Sequence, residues 1–326
     1  MPPEAIAAAL TFTPTEEGEL QVGMDPATLQ TALDDELAAF GTPARDATFE
    51  VTGGAVRVVP SVDGTGIDPA HLVEQLLPVL DDPAPRSVTA EHGPVPAELT
   101  TQEAEALGIR EEISSFTTNI SNPRSGENIR VVAAEVDGAL VLPGETFSLN
   151  GYTGPRGTAQ GYVESGIIIN GHSGSAVGGG ISQFATTLYN AAYFAGMQDT
   201  AHTPHSYYIS RYPAGREATV YEGAIDLQFT NTFNTPVQIE TSFGGGNITV
   251  RLKGTKTVEV ESINNGRWAK TEPQPMSVPG SDCSPSSGAP GFTTSDTRII
   301  KDLGGKELSR ETTTTVYDPQ PIVRCS

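Results

Sequence analysis

Apolar and polar positions along this chain follow two different periods, and the places where the period changes mark its organisation. In the first hundred residues two apolar stretches, Leu29 to Phe40 and Leu72 to Leu80, keep the three-and-four spacing of a helix. Each is preceded by an Asp-Pro pair, Asp25-Pro26 and Asp68-Pro69, which puts a capping carboxylate before a proline at the first helical position, and Gly41 closes the first stretch. Between them Ala47 to Thr52 and Ala55 to Pro60 read as two strands turned by Gly53-Gly54. A small α+β domain over residues 1–99 is expected.

Near residue 83 the chain becomes rich in proline, and Thr100 with Glu103 then has the spacing of a capping box for a short helix ending at Gly108. Ser125 is placed to cap a helix with Ile129, Val132, Ala133 and Val136 on one face and Gly138 at its end, after which Val141, Leu142, Phe147 and Leu149 continue as short strands. Tyr162 to Asn170 is strand-like and ends in the turn Asn170-Gly171. Gly178-Gly179-Gly180 then precedes Ile181 to Ala195, where Phe184, Leu188, Ala191, Ala192 and Ala195 share a helical face and Gly196 is the stop.

From Ser206 the period falls to two. An antiparallel meander is expected from Tyr207 to Ser210, Ala218 to Tyr221, Ile225 to Asn231, Val237 to Thr241 and Ile248 to Leu252, with Gly244-Gly245-Gly246 as a turn. Residues 100–255 therefore read as an α+β domain with one central helix on an antiparallel sheet. Beyond Gly254 the chain reads as loose through Pro273 to Pro290, and Thr297 to Lys301 and Glu311 to Tyr317, separated by Gly304-Gly305, complete a small β module over 256–326.

Composition narrows the function classes. A chain of 326 residues exceeds one ordinary core, and 37% apolar residues with 35 Gly and 25 Pro fit a folded, turn-rich protein. The net charge of −21 repels nucleic-acid phosphates and anionic membrane surfaces, so neither is expected as a partner. The acids Glu16, Glu17, Glu19, Asp34, Asp35, Glu36, Asp81 and Asp82 read as a solvated surface. Cys283 and Cys325 flank a hairpin-like segment; a disulfide would place the chain outside the reducing cytosol, and two free thiols are the alternative. His202 and His205 lack the helical context of a zinc motif, and neither metal nor cofactor is expected. No apolar run reaches the roughly 20 residues that cross a bilayer. Met1-Pro2-Pro3 lacks the basic start of an export signal, so membrane anchoring is expected only through a segment absent from this chain.

The candidate chemistry gathers at the glycine loop. Successive glycines allow a tight turn and close approach of a ligand at Gly179 and Gly180, and the following helix offers unpaired N–H groups and a positive dipole end to Ser182. His205 is a candidate general base for Ser182 or, equally, a structural core histidine, with Asp226 or Glu217 as the orienting acid. Gln183, Ser206, Arg211, Arg216 and Tyr162 are candidate ligand contacts, with Tyr152, Tyr207 and Tyr208 as further groove residues. Arg216 either binds a carboxylate in bidentate fashion or closes a buried ion pair.

The stretch Pro143-Gly144-Glu145-Thr146-Phe147-Ser148-Leu149-Asn150, then Gly178 to Gln183, Thr186-Thr187-Leu188-Tyr189-Asn190-Ala191, His205-Ser206 and Gly215-Arg216-Glu217-Ala218-Thr219 resembles the VanW family in order and spacing, over about residues 112 to 255. The N-terminal part is similar to the peptidoglycan-binding domain that often precedes VanW domains, and the tail to the short glycine-marked β modules that often follow them. The resemblance implies an extracellular, cell-wall or membrane-anchored protein whose partner is peptidoglycan or its stem peptides. In some clostridial members it implies an L,D-transpeptidase with a cysteine nucleophile. Here the position of that cysteine holds Ser182, while His205 matches the family histidine. A helix dipole contributes roughly 0.3–1 kcal/mol, which helps a thiol of pKa about 8.5 but leaves a serine hydroxyl far too basic without a general base. The expected function is peptidoglycan binding without cysteine-type catalysis; the alternative is a transpeptidase-like acyl transferase using Ser182 with His205.

Overall fold

The computed structural model describes residues 2–326 other than 16–18, 34–36, 38–39, 53–54, 84, 170 and 281–282. The acids Glu16, Glu17, Asp34, Asp35 and Glu36, the turn Gly53-Gly54, Asn170 of the turn Asn170-Gly171 and part of the stretch Leu29 to Phe40 therefore lie outside the described residues. The fold is α+β, with 22% helix and 41% strand. Two compact units are present, one of residues 1–50 with 57–106 and one of residues 51–56 with 107–326.

The first unit is built on short elements whose ends are marked by their caps. It comprises α1 (Pro3–Ala9), β1 (Leu10–Pro14), β2 (Leu20–Met24), α2 (Pro26–Ala32), β3 (Thr48–Thr52), β4 (Ala55–Val59), β5 (Gly64–Ile67), α3 (Pro69–Leu76), β6 (His92–Val95) and α4 (Thr101–Ala106), with the end of β3 and the start of β4 belonging to the second unit. Asp25 accepts from the Thr28 N–H at 2.8 Å and Asp68 from the Ala70 N–H at 2.9 Å, so both Asp-Pro pairs start helices. Thr100 and Glu103 close their capping box reciprocally, at 2.9 and 3.2 Å. Leu29, Leu33, Leu72 and Leu76 fill the core between α2 and α3.

The second unit begins with β7 (Glu111–Asn119) and α5 (Pro123–Val136). Asn122, and not Ser125, caps α5: its side-chain oxygen accepts from the Arg124 and Ser125 N–H groups at 2.9 and 3.3 Å. Pro123 has no N–H to give and fits only the first helical turn, which pins the start there. There follow β8 (Leu140–Val141), β9 (Thr146–Ser148), α6 (Leu149–Thr153), β10 (Glu164–Ile169), β11 (His172–Val177), α7 (Ile181–Ala195), β12 (Gln198–Ala201), β13 (Gln228–Thr230), β14 (Val237–Gly244) and β15 (Asn247–Gly254). A sheet in the order β4-β7-β15-β14-β8 carries the core, with Ala55 opposite Glu111. The helix α7 is buried nearly all round, because α5, β7 and β15 pack on it together.

Residues 207–210 and 218–221, expected as strands, are irregular. For residues 216–220, side chains of α7 satisfy the backbone where a neighbouring strand would. Val220 N–H donates to Ser182 Oγ at 3.2 Å, Ala218 N–H to Thr186 Oγ1 at 3.1 Å, and Asn190 Nδ2 donates to the Arg216 carbonyl at 2.9 Å. Four helical residues rise about 6 Å and two extended residues about 6.6 Å, so a stripe spaced by four matches a strand-like segment spaced by two. Thr186 and Asn190 are fully buried, and Ser182 is the half-buried outer end of the stripe.

The C-terminal part is more ordered than its composition suggests. Where a loose segment is expected, β16 (Val258–Thr271) runs beside β18 (Gly291–Asp302), which pairs with β19 (Glu307–Tyr317); β17 (Pro275–Val278) and β20 (Ile322–Cys325) form a parallel pair. Two register shifts, between Asn264 and Arg267 and between Trp268 and Thr271, break the alternation that would have revealed β16. Cys283 and Cys325 form a disulfide. From β18, Arg298 donates to the Met197 and Tyr193 carbonyls at 2.9 and 2.5 Å, setting a cation at the C-terminal end of α7.

Replacing Cys283 and Cys325 by serine opens a loop of 42 residues and is expected to lower stability by about 4 kcal/mol on chain-entropy grounds, read as a drop in Tm that reducing agent reproduces in the parent protein. Thr186→Val keeps the side-chain shape but leaves the buried Ala218 N–H unpaired; a loss of about 1–3 kcal/mol in denaturant unfolding is expected. Thr117→Val, which removes an exposed hydroxyl pair, should stay within about 0.5 kcal/mol.

Candidate functional site

The glycine loop owes its shape to what packs beneath it. Asn128, fully buried on α5, accepts from the Val163 N–H at 2.7 Å and donates to the Val163 and Gly179 carbonyls at 2.8 Å each. A Cβ on Gly179 would collide with the Ser165 carbonyl, and one on Gly180, at φ 91°, with the Ser125 side chain. The missing Cβ at these two glycines thus permits close packing against β10 and α5. Gln183 is buried and donates to Thr118 Oγ1 and the Asn119 carbonyl at 3.0 and 2.8 Å, tying α7 to β7. Tyr162 is also buried, its hydroxyl donating to Glu135 at 2.6 Å, and lines no groove.

Ser182 is the second residue of α7, whose N-terminus has no side-chain cap. Of its first turn, the Gln183 N–H donates to the Gly180 carbonyl at 3.0 Å, and no side chain caps the N–H groups of Ile181 and Ser182. The Ser182 hydroxyl accepts from Val220, and among the described residues no hydrogen bond joins it to His205.

His205 is held by a buried chain of polar groups. Its Nδ1 lies 2.6 Å from Glu217 Oε2, and Glu217 is fully buried. The Tyr317 hydroxyl donates to Glu217 Oε1 at 3.0 Å while accepting from the Gly215 N–H at 2.9 Å. Burial, and then the neighbouring Glu217 charge, push the Tyr317 phenol far above its ordinary pKa, so it remains a donor. The Tyr212 ring stacks on the imidazole at 5.6 Å. With Nδ1–H directed at the carboxylate, Nε2 is the nitrogen left to meet a ligand or proton.

Asp226 is not the acid beside His205. Its oxygens are occupied by the Asn150 and Leu227 N–H groups at 2.9 and 2.8 Å, the Ser148 hydroxyl at 2.6 Å and Gln228 Nε2 at 3.0 Å, at the β9–β13 corner. Glu217 takes that place: it is fully buried, with Oε2 2.6 Å from His205 Nδ1, between residues whose backbone groups bond α7. Arg216 stacks on Tyr193 and Phe194 at 5.4 and 4.9 Å, with Nε 3.8 Å from Asp296 Oδ2 and with Nε and Nη1 buried and unbonded. Ser206 and Arg211 are exposed, Arg211 lying over the Tyr212 ring at 4.9 Å; Tyr152 is exposed, Tyr208 half-buried and Tyr207 buried. Asn128 and Tyr317 were not among the sequence candidates. A polar residue on the apolar stripe of α5 signals Asn128, whereas nothing local points from Tyr317 to a residue 100 positions earlier.

Residues 124–253 match the family described as VanW like protein, and residues 3–88 match the one described as "Putative peptidoglycan binding domain". Over 171 residues the chain is 33% identical to the "Uncharacterized protein YoaR" of Bacillus subtilis (strain 168), a stretch covering 52% of this chain and 54% of that protein. The chain thus spans about half the length of this curated relative. No solved structure matches. A VanW-like domain, preceded by a domain of the peptidoglycan-binding family, is what this chain carries.

Proposed function

We propose that this chain is an extracellular cell-wall protein that binds peptidoglycan stem peptides at the outer end of α7 without forming or breaking a bond. The observation that carries this reading is the bond from the Val220 N–H to Ser182 Oγ. It makes Ser182 the third rung of the structural stripe completed by Thr186 and Asn190, a role for which a hydroxyl suffices. The Ile181 and Ser182 N–H groups at the start of α7, which no side chain caps, and the exposed Arg211 and Ser206 supply donors for a peptide carboxylate or carbonyl. The two domain matches support a cell-wall setting, and the disulfide fits an oxidising one. Peptidoglycan is the partner in this reading, with any membrane attachment made by a segment outside this chain.

One observation favours a second reading. The Glu217–His205 pair has the acid–imidazole geometry of a general base, backed by Tyr317. In that case Ser182 Oγ would attack the carbonyl of a stem-peptide amide as its proton passes to His205 Nε2. The N–H groups of α7 would hold the oxyanion, and the departing amine would take the proton before a neighbouring amine resolves the ester.

Co-sedimentation with purified sacculi and mass spectrometry with tetrapeptide muropeptides test both. The parent and Ser182→Ala are expected to bind sacculi within about fivefold of each other, since a lost neutral hydrogen bond is worth about 1 kcal/mol, and neither should gain mass. An acyl adduct or cross-linked dimer formed by the parent and lost in Ser182→Ala would replace the binding reading with serine acyl transfer. Product from Ser182→Cys alone would show a competent geometry with an inert natural residue.

A further inference from the structure

A cleft of about 440 Å³ opens on the second unit, away from Ser182, between the 207–210 segment and the C-terminal sheet. Its walls include Tyr208, Arg267, Lys270, Phe292, Asp318 and Gln320. This volume is in the range of small-molecule sites. In a chain of net charge −21, two cations facing one carboxylate there reverse the local balance.

Two features show that the cations are placed rather than merely exposed. The Arg267 guanidinium sits against both Tyr208 and Phe292, 4.4 and 4.2 Å from their ring centres, and these two rings meet edge to face at 69°, so the cation is held in the corner between them. Lys270 comes from the second irregularity of β16, where Ala269 has φ 48°, the only positive φ of a non-glycine among the described residues. That conformation is costly for a residue with a Cβ, and bulges of this kind re-aim the next side chain. On the opposite wall the Asp318 N–H donates to the Ser206 carbonyl at 2.7 Å, fixing that residue at the rim.

We propose that this cleft binds the terminal carboxylate of a short peptide, with Arg267 and Lys270 on the carboxylate and Asp318 on an N–H or ammonium group of the same ligand. A fork and a point charge suit a carboxylate, whereas the dianion of a phosphate would meet Asp318 without compensation. The site stands apart from Ser182 and holds whether or not that residue reacts. It borrows from the binding reading only the notion of a peptide ligand.

The test is titration of the ¹⁵N-labelled protein with dialanine, dialanine amide and methyl phosphate, followed by NMR. Dialanine is expected to shift the Arg267, Lys270 and Asp318 signals, the amide to bind at least tenfold more weakly, and methyl phosphate to bind more weakly than dialanine. Arg267→Gln should weaken dialanine at least tenfold, and Lys270→Gln, an exposed change that leaves the aromatic stack alone, at least threefold. Equal binding of acid and amide, tighter binding of methyl phosphate, unchanged affinity in both variants, or no shift with any probe would overturn the proposal. Sacculus binding by the parent separates the two readings: a parent that binds sacculi but not dialanine condemns only the cleft, and one that binds dialanine but not sacculi condemns only the cell-wall reading.

Discussion

The polar stripe Ser182, Thr186 and Asn190 on α7 is the interaction on which the remainder of the site depends. A buried helix normally presents only apolar groups, and an irregular segment beside it would leave its peptide groups without partners. Here the two problems cancel, because the hydroxyls and amide of the helix bond the backbone of residues 216–220. Within that segment, held against α7, Glu217 reaches His205. The position of the imidazole therefore depends on backbone satisfied by the helix beside it.

The C-terminal sheet takes part in the same construction. Tyr317 completes the Glu217 environment from β19, and Arg298 from β18 bonds the carbonyls at the end of α7. Asp296 receives the Tyr193 hydroxyl at 2.5 Å and faces Arg216. A histidine–carboxylate pair that is fully enclosed needs every remaining lone pair occupied, since an unpaired buried charge is costly. The tail supplies those groups, so residues beyond 255 belong physically to the site. Ser182 itself sits where both a structural rung and a nucleophile would sit, and its accepted bond from Val220 is what tips the reading toward binding.

Much of the local structure was legible from the sequence. The Asp-Pro starts of α2 and α3, the capping box at Thr100, the α7 helix with its glycine ends and the β14–β15 hairpin all rest on interactions within a few residues, where pattern carries the information. The helix α5 was legible too, with its start moved to Asn122 by a proline. The sequence left Cys283 and Cys325 as either a disulfide or two free thiols, and the structure closes the bond.

What only the tertiary structure decided are the contacts between residues far apart in the chain. The sequence narrowed the acid partner of His205 to Asp226 or Glu217; the choice depended on which had its oxygens already occupied by neighbours. Glycine at 179 and 180 was evident, but whether the missing Cβ made room for a ligand or for Ser165 and Ser125 depended on the packing of β10 and α5. Alternation at 218–221 promised a strand, yet a strand exists only where another strand can bond it, and side chains of α7 bond that backbone instead. Periodicity reports which face of a segment is buried; it does not report what buries it.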